Sequence, residues 1–249
     1  MIEKKRTLVA CLDVKDGSVV KGVKFQEVQP ILDPVEAGLK YVAAGIDELV
    51  YYDISATNEG RKMLLEPARE LAKKAGIPFT VGGGIASLED IEEVFQLGVD
   101  KVSINSAAVK DPELIREAAK RYGKSRIMVA IDGKKVGPGK WNVYLKGGTL
   151  DTGIDVVEWA TRLEILGAGE LCMNSIDEDG VQDGYDLELI EKLSQVLTIP
   201  IIASGGAGKM KDFADAFRAG ASKALAASVF HYGTVSIPEL KAYLQEELD

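Results

Sequence analysis

Two aspartates stand out by where they fall in the chain. Residues 8–22 read LVACLDVKDGSVVKG, an apolar run that stops at Asp13 and gives way to a Lys/Asp/Gly turn. Residues 127–135 read IMVAIDGKK, and that apolar run stops at Asp132. A single Asp after a strand-like run commonly does no more than open a turn. Two in matching settings suggest a pair, and paired carboxylates serve as general acid and base when their surroundings separate their pKa values. Glycine runs repeat as well, Gly82-Gly83-Gly84 and Gly205-Gly206, each followed at the same interval by a small polar pair, Asn105-Ser106 and Ala227-Ser228. Glycines let backbone N–H groups close on an anion, and a following helix N-terminus adds partial positive charge. One such run reads equally well as a tight turn. Two copies predict two phosphate sites on opposite sides of a shared mouth, and so an elongated ligand with a phosphate at each end.

The elements that must position these groups alternate strictly. Strands are predicted at 7–13, 48–53, 78–82, 101–105, 126–132, 169–174, 200–204 and 223–227. Helical patterns lie near 33–44, 61–75, 88–97, 111–122, 155–167, 186–197, 210–219 and 237–247. Asp111-Pro112 predicts an N-cap with proline at the first helical position; Gly98 and Gly220 mark helix ends. Alternation of this kind means a parallel sheet covered by helices, either a doubly wound open sheet or a barrel. The chain's internal repeat favours the barrel. At one constant offset Gly45 matches Gly167, Glu48 matches Glu170, Ile77-Pro78 matches Ile199-Pro200, Gly98 matches Gly220 and Ser106 matches Ser228. The first strand matches at a slightly shorter offset, Asp13 to Asp132. The expected fold is α/β, a (βα)8 TIM barrel of two similar (βα)4 halves. It forms a single domain over 1–249, with half-barrels about 1–123 and 124–249. Asp13 and Asp132 then end strands one and five and face each other across the mouth, where such barrels build their sites. A hairpin around WNVYL is expected after strand five; 14–32 and 175–185 are expected as long loops.

Bulk properties exclude several classes. The 249 residues suit one α/β barrel. A net charge of −9 argues against nucleic-acid or anionic-membrane binding, though not against an anionic small ligand held by backbone N–H groups. Cys11 and Cys172 sit in apolar runs and read as reduced core residues of a cytoplasmic protein. No apolar run suits a signal peptide or a membrane span. His231, the one histidine, reads as a helix-start or packing residue. Asp177, Asp179 and Asp183 lack the downstream Glu of a calcium loop; no metal and no cofactor is expected.

The motifs CLDVKDG, TVGGGI, DKVSIN, VAID, SIDEDGVQDGYD, IASGGAGKM and ALAASVFH occur in this order along the chain. In them the sequence resembles, over essentially its whole length, the HisF family, the cyclase subunits of imidazole glycerol phosphate synthase in histidine biosynthesis. The sister isomerase family HisA shares the barrel and both carboxylates but differs in the motifs after strands one, four, six and eight. The resemblance implies a lyase that uses ammonia to convert a ribulosyl aminoimidazole-carboxamide bisphosphate to imidazole glycerol phosphate and aminoimidazole-carboxamide ribonucleotide. It implies Asp13 and Asp132 as catalytic groups. It implies Gly84, Asn105 and Ser106 at one phosphate, Asp179, Gly180, Gly206, Ala227 and Ser228 at the other, and Lys21 on substrate, with Asp53 and Ser175 as weaker candidates at the rim. A HisA-like isomerase and a non-catalytic or engineered barrel of HisF descent are the alternatives. Relatives acting in surface-sugar amidation lack the first carboxylate, so Asp13 argues against them.

Alternate strand residues face the same way. If Asp13 points inward, so do Cys11, Val9 and Thr7; Asn105 implies Lys101 and Asn174 implies Glu170, with Glu48 equivalent in strand two. Charge at strand starts serves solubility in many proteins. The resemblance implies instead an ammonia gate of Thr7, Glu48, Lys101 and Glu170, facing a glutaminase subunit (HisH) on the N-terminal face. Thr7 stands where the family usually carries arginine, so a gate one cation short is expected, with Arg6 compensating from the rim; Leu32 stands where the family carries glycine before Asp33-Pro34.

Overall fold

The computed structural model describes residues 6–23, 26–54 and 65–248, with side chains throughout except at 21–23 and 26–31. Eight parallel strands close on themselves. In barrel order they are β1 (Thr7–Lys15), β4 (Glu48–Asp53), β5 (Phe79–Gly82), β6 (Lys101–Ile104), β7 (Ile127–Gly137), β10 (Glu170–Ser175), β11 (Ile201–Ser204) and β12 (Lys223–Ala226). The closing pair sets Thr7 beside Lys223 and Ala10 beside Ala226. An open doubly wound sheet would leave a free edge there, so the fold is the (βα)8 barrel.

The strands read as short, nearly continuous apolar runs because both their faces are covered. Leu8, Leu12, Leu49 and Tyr51 pack outward under the helices, while Val9, Cys11, Val50, Met128 and Cys172 pack against one another inside. Helix starts are specified locally. Asp33 and Asp155, equivalent in the two halves, each accept from two backbone N–H groups of the helix that follows, 34–43 and 156–166. The helix expected from Asp111-Pro112 begins one residue later, at Glu113. Asp111 still accepts from the Glu113 N–H at 3.1 Å, but Pro112 lies outside the hydrogen-bonded run.

Each catalytic-candidate strand runs on past the barrel rim into an antiparallel extension. After β7 come β8 (Lys140–Leu145) and β9 (Leu150–Asp155), the expected ribbon around WNVYL. After β1, the segment 14–32 is not the loop expected but a hairpin, β2 (Ser18–Val23) paired with β3 (Gln26–Leu32). The signal was Asp16-Gly17. Lys15 pairs with Ser18, and both turn residues take positive φ, 51° and 78°, the two-residue hairpin turn that an Asp-Gly pair favours.

Candidate active site

Both aspartates sit at the barrel mouth, on strands that stand opposite each other. Asp13 ends the inward-facing series on β1, and the Cys11 thiol below it donates to its Oδ1 at 3.4 Å. Asp132 is held more firmly. Asn105 donates to its Oδ2 at 2.9 Å and Asn174 to its Oδ1 at 3.1 Å, and the Ser204 hydroxyl donates in turn to the Asn174 carbonyl oxygen at 3.2 Å. Burial raises the Asp132 pKa above the usual carboxyl value. The two asparagine amides pull it down, while the charges of Asp179 and Asp13 push it up. The mouth therefore contains a carboxyl group with two fixed donors and a bias toward the protonated form. That is what a proton donor near neutral pH requires. Asn174 and Ser204 do not feature among the sequence candidates, although the parity that turns Asp132 inward turns them inward too.

The glycine loops flank this pair. Gly83 and Gly84 take φ of 95° and 69°, Gly205 and Gly206 of 85° and 111°. A Cβ on Gly83 would lie 2.2 Å from the Asp53 carbonyl oxygen, and one on Gly206 would lie 1.9 Å from that of Gly184. The chain's own backbone crowding thus already demands glycine at these two positions. Asn105 and Ala227 adopt nearly the same backbone angles, −122°/−95° and −124°/−74°, and each leads into a short helix opened by Ser106 or Ser228. Asp179 is buried in the turn after β10, its N–H on the Ser175 carbonyl, and Gly180 follows with φ 73°. Lys21 lies on β2, paired with Gln29, with its side chain outside the described residues. Asp53 and Ser175 are not at the rim. They follow inward-facing Tyr52 and Asn174, so they turn outward and are buried; Ser175 faces Tyr185 and Leu189. His231 packs in the helix layer, its Nδ1 2.5 Å from the Tyr41 hydroxyl.

At the opposite end of the barrel, alternate strands contribute one layer of four inward side chains: Glu48, Lys101, Glu170 and Lys223. Such four-residue layers fill barrels of this fold; here every member is charged and the signs alternate. Lys101 reaches Glu170 at 2.9 Å and Glu48 at 3.3 Å; Lys223 reaches Glu48 at 2.6 Å and Glu170 at 2.5 Å. Burial works against the Lys101 ammonium, but Glu170 and Glu48 outweigh it and hold its pKa at about 12. The expected shortage of a cation is therefore corrected: Lys223, beside Thr7 in register, supplies it. Counting down β12 from Ala227 would have found it. Arg6 donates to the Leu248 carbonyl. Among the described residues no cluster of three or more His, Cys, Asp or Glu is placed to hold a metal, and no helix is long and apolar enough to cross a membrane.

A closed parallel barrel with opposed carboxylates at its C-terminal mouth and a charged layer at its base defines a (βα)8 barrel with an enzyme-like site. The profile of a family described as "Histidine biosynthesis protein" matches residues 7–236. The imidazole glycerol phosphate synthase subunit HisF of Metallosphaera sedula is 50% identical over 242 residues, covering 97% of this chain and 96% of its own. Those of Oceanobacillus iheyensis and a Hydrogenobaculum species are each 49% identical over 242 residues, with coverage of 97% of this chain and 95% and 96% of their own. The chain belongs to the HisF family of imidazole glycerol phosphate synthase subunits.

Proposed function

We propose that this chain is the cyclase subunit, a lyase working as a single barrel domain with half-barrels about 1–123 and 124–249. Its substrate is a ribulosyl aminoimidazole-carboxamide bisphosphate and its co-substrate ammonia. Its products are imidazole glycerol phosphate and aminoimidazole-carboxamide ribonucleotide. The observation that carries the reading is Asp132, a carboxyl group of raised pKa fixed by two asparagine amides and facing a second carboxylate. Asp132 gives a proton to the substrate oxygen as ammonia adds, and Asp13 removes one as the imidazole ring closes. Gly84, Asn105 and Ser106 hold one phosphate; Asp179, Gly180, Gly206, Ala227 and Ser228 surround the other; Lys21 reaches the substrate between them. The duplicated loops with matching backbone angles support two anion sites of similar make.

Ammonia is supplied by a glutaminase subunit on the N-terminal face and travels along the barrel axis. The ring of Glu48, Lys101, Glu170 and Lys223, with Thr7 beside it, closes that end. The support is that buried ion pairs seal an opening while remaining separable. Incubating the chain alone with the ribulosyl substrate and an ammonium salt tests the chemistry: both products should form. No conversion, with isomerisation of the unopened ribosyl precursor instead, would replace this reading by the isomerase one. Lys101→Met tests the route: it should change turnover on glutamine plus the glutaminase much more than turnover on ammonium.

A further inference from the structure

Between the charged ring and the carboxylates, one side chain crosses the barrel. Tyr52 follows Glu48 and Val50 in the inward series of β4 and stands beside Asp13 in register. Its ring does not rise toward the mouth. It runs inward and down over Gly82 of the neighbouring strand, where an added Cβ would meet Tyr52 Cε1 at 2.6 Å and Ser103 Cβ at 2.9 Å. The hydroxyl lies 3.0 Å from Ser103 Oγ on β6 and donates toward Met128 Sδ on β7 at 3.9 Å. Cys172, on the strand diametrically opposite β4, belongs to the inner cluster on which the Tyr52 ring packs. The phenol thus reaches across the barrel interior from β4 to β6 and β7, in space that only a glycine at 82 leaves open. Burial keeps this phenol's pKa well above 10, so the group bridging the axis is neutral.

We propose that Tyr52 is a second closure of the barrel axis, one that a small neutral molecule passes only when the ring swings off Ser103. This rests on the reading above that ammonia uses the axis. The charged ring below excludes solvent by ion pairing; Tyr52 excludes it by bulk. Its hydroxyl and that of Ser103, both able to donate and accept, offer a passing ammonia hydrogen bonds midway along a largely apolar path. Tyr52 is a positioning residue in this scheme, since its hydroxyl bonds to Ser103 and Met128 rather than to either carboxylate. A closure by bulk must be tightened by a larger group and relaxed by a smaller one, whereas a structural prop suffers from either change.

The test uses the complex with the glutaminase subunit and counts glutamate released per imidazole glycerol phosphate formed, alongside turnover on ammonium, which enters from the mouth. Tyr52→Trp should raise glutamate released per product at least about fivefold and leave ammonium-driven turnover within about twofold. Tyr52→Leu should keep the ratio near one. Equal coupling in the parent and Tyr52→Trp, or equal uncoupling in Tyr52→Trp and Tyr52→Leu, would overturn the closure. Should Tyr52→Trp not fold, Ser103→Leu serves instead, because it adds bulk to the same constriction from β6; uncoupling is again expected, and unchanged coupling again overturns the proposal. Lys101→Met separates the two ideas. If it too leaves coupling unchanged, the axial route itself fails; if it uncouples while the Tyr52 and Ser103 variants do not, only the second closure fails.

Discussion

At the scale of the residue, Asp132 is where chemistry and stability oppose each other. Its raised pKa means that the folded chain holds a proton more tightly than the unfolded one. Its contribution to stability is therefore fully present below the ordinary carboxyl pKa of about 3.9 and is lost as pH rises through the folded value. Against an Asp132→Asn variant, the parent should lose thermal stability as pH rises through that window and stay parallel above it; a difference that ignores pH would show that burial does not perturb the group. Turnover should fall in the same direction, since a general acid fails once deprotonated. Asp132→Asn and Asp13→Asn should each reduce ammonium-driven turnover by about 10²–10⁴-fold, with substrate affinity, read by titration, nearly unchanged. Retention of a tenth of the turnover in both would remove the acid/base assignment. Asp13 and Asp132 were legible in the sequence because each ends an apolar run. Asn105 was legible as part of a repeated polar pair, but its bond to Asp132 was not. Asn174 and Ser204 were missed because an amide and a hydroxyl at a strand end carry no repeat.

At the scale of the element, the ribbon after β7 is tied to the following unit by several polar contacts: the Lys135 N–H donates to Asp177 Oδ2 at 2.8 Å, the Lys135 ammonium reaches Glu188 at 2.7 Å, and one further contact is buried. Trp141 is buried, and its indole N–H donates to Asp186 Oδ2 at 2.7 Å; the other oxygen of Asp186 accepts from the Leu189 N–H and caps helix 187–196. One carboxylate thus ties the extension of the strand carrying Asp132 to the start of a helix. Asp186→Ala should lower stability by about 1–3 kcal/mol in urea unfolding, because it removes an N-cap and orphans a buried donor together. A loss under about 0.5 kcal/mol would mean that water replaces the carboxylate at both positions. This ribbon was readable from the alternation in WNVYL. The matching hairpin after β1 was not read, although Asp16-Gly17 specifies it, because its second strand runs QEVQPIL and carries a proline that masks the alternation.

At the scale of the whole molecule, the barrel's base is one electrostatic unit built from four strands far apart in sequence. This is why only part of it was legible: parity along single strands delivers Glu48, Lys101 and Glu170 one at a time, while the layer becomes visible only when the strands close and Lys223 arrives from β12. Lys101, held at about 12, contributes its full stabilisation below its ordinary pKa of about 10.5 and loses it only as pH rises through 12, so Lys101 itself stays charged at neutral pH. Removing one lysine leaves two buried glutamates sharing the other. Lys223→Met should therefore cost about 3 kcal/mol, the low end for an uncompensated buried charge, because each glutamate keeps one partner. Thr7 stands beside Lys223 in register, on the adjoining strand. A cation long enough to reach Glu48 and Glu170 from β1 should then replace one lost from β12. Adding Thr7→Arg to Lys223→Met should recover at least half the lost stability in urea unfolding and bring glutamine-driven turnover back toward that of the parent, whereas Thr7→Arg alone crowds a third cation against two carboxylates and should give no gain. If the double variant is no more stable than Lys223→Met, position 7 does not reach the ring, and the cation at its base is fixed to β12 by geometry rather than exchangeable between neighbouring strands.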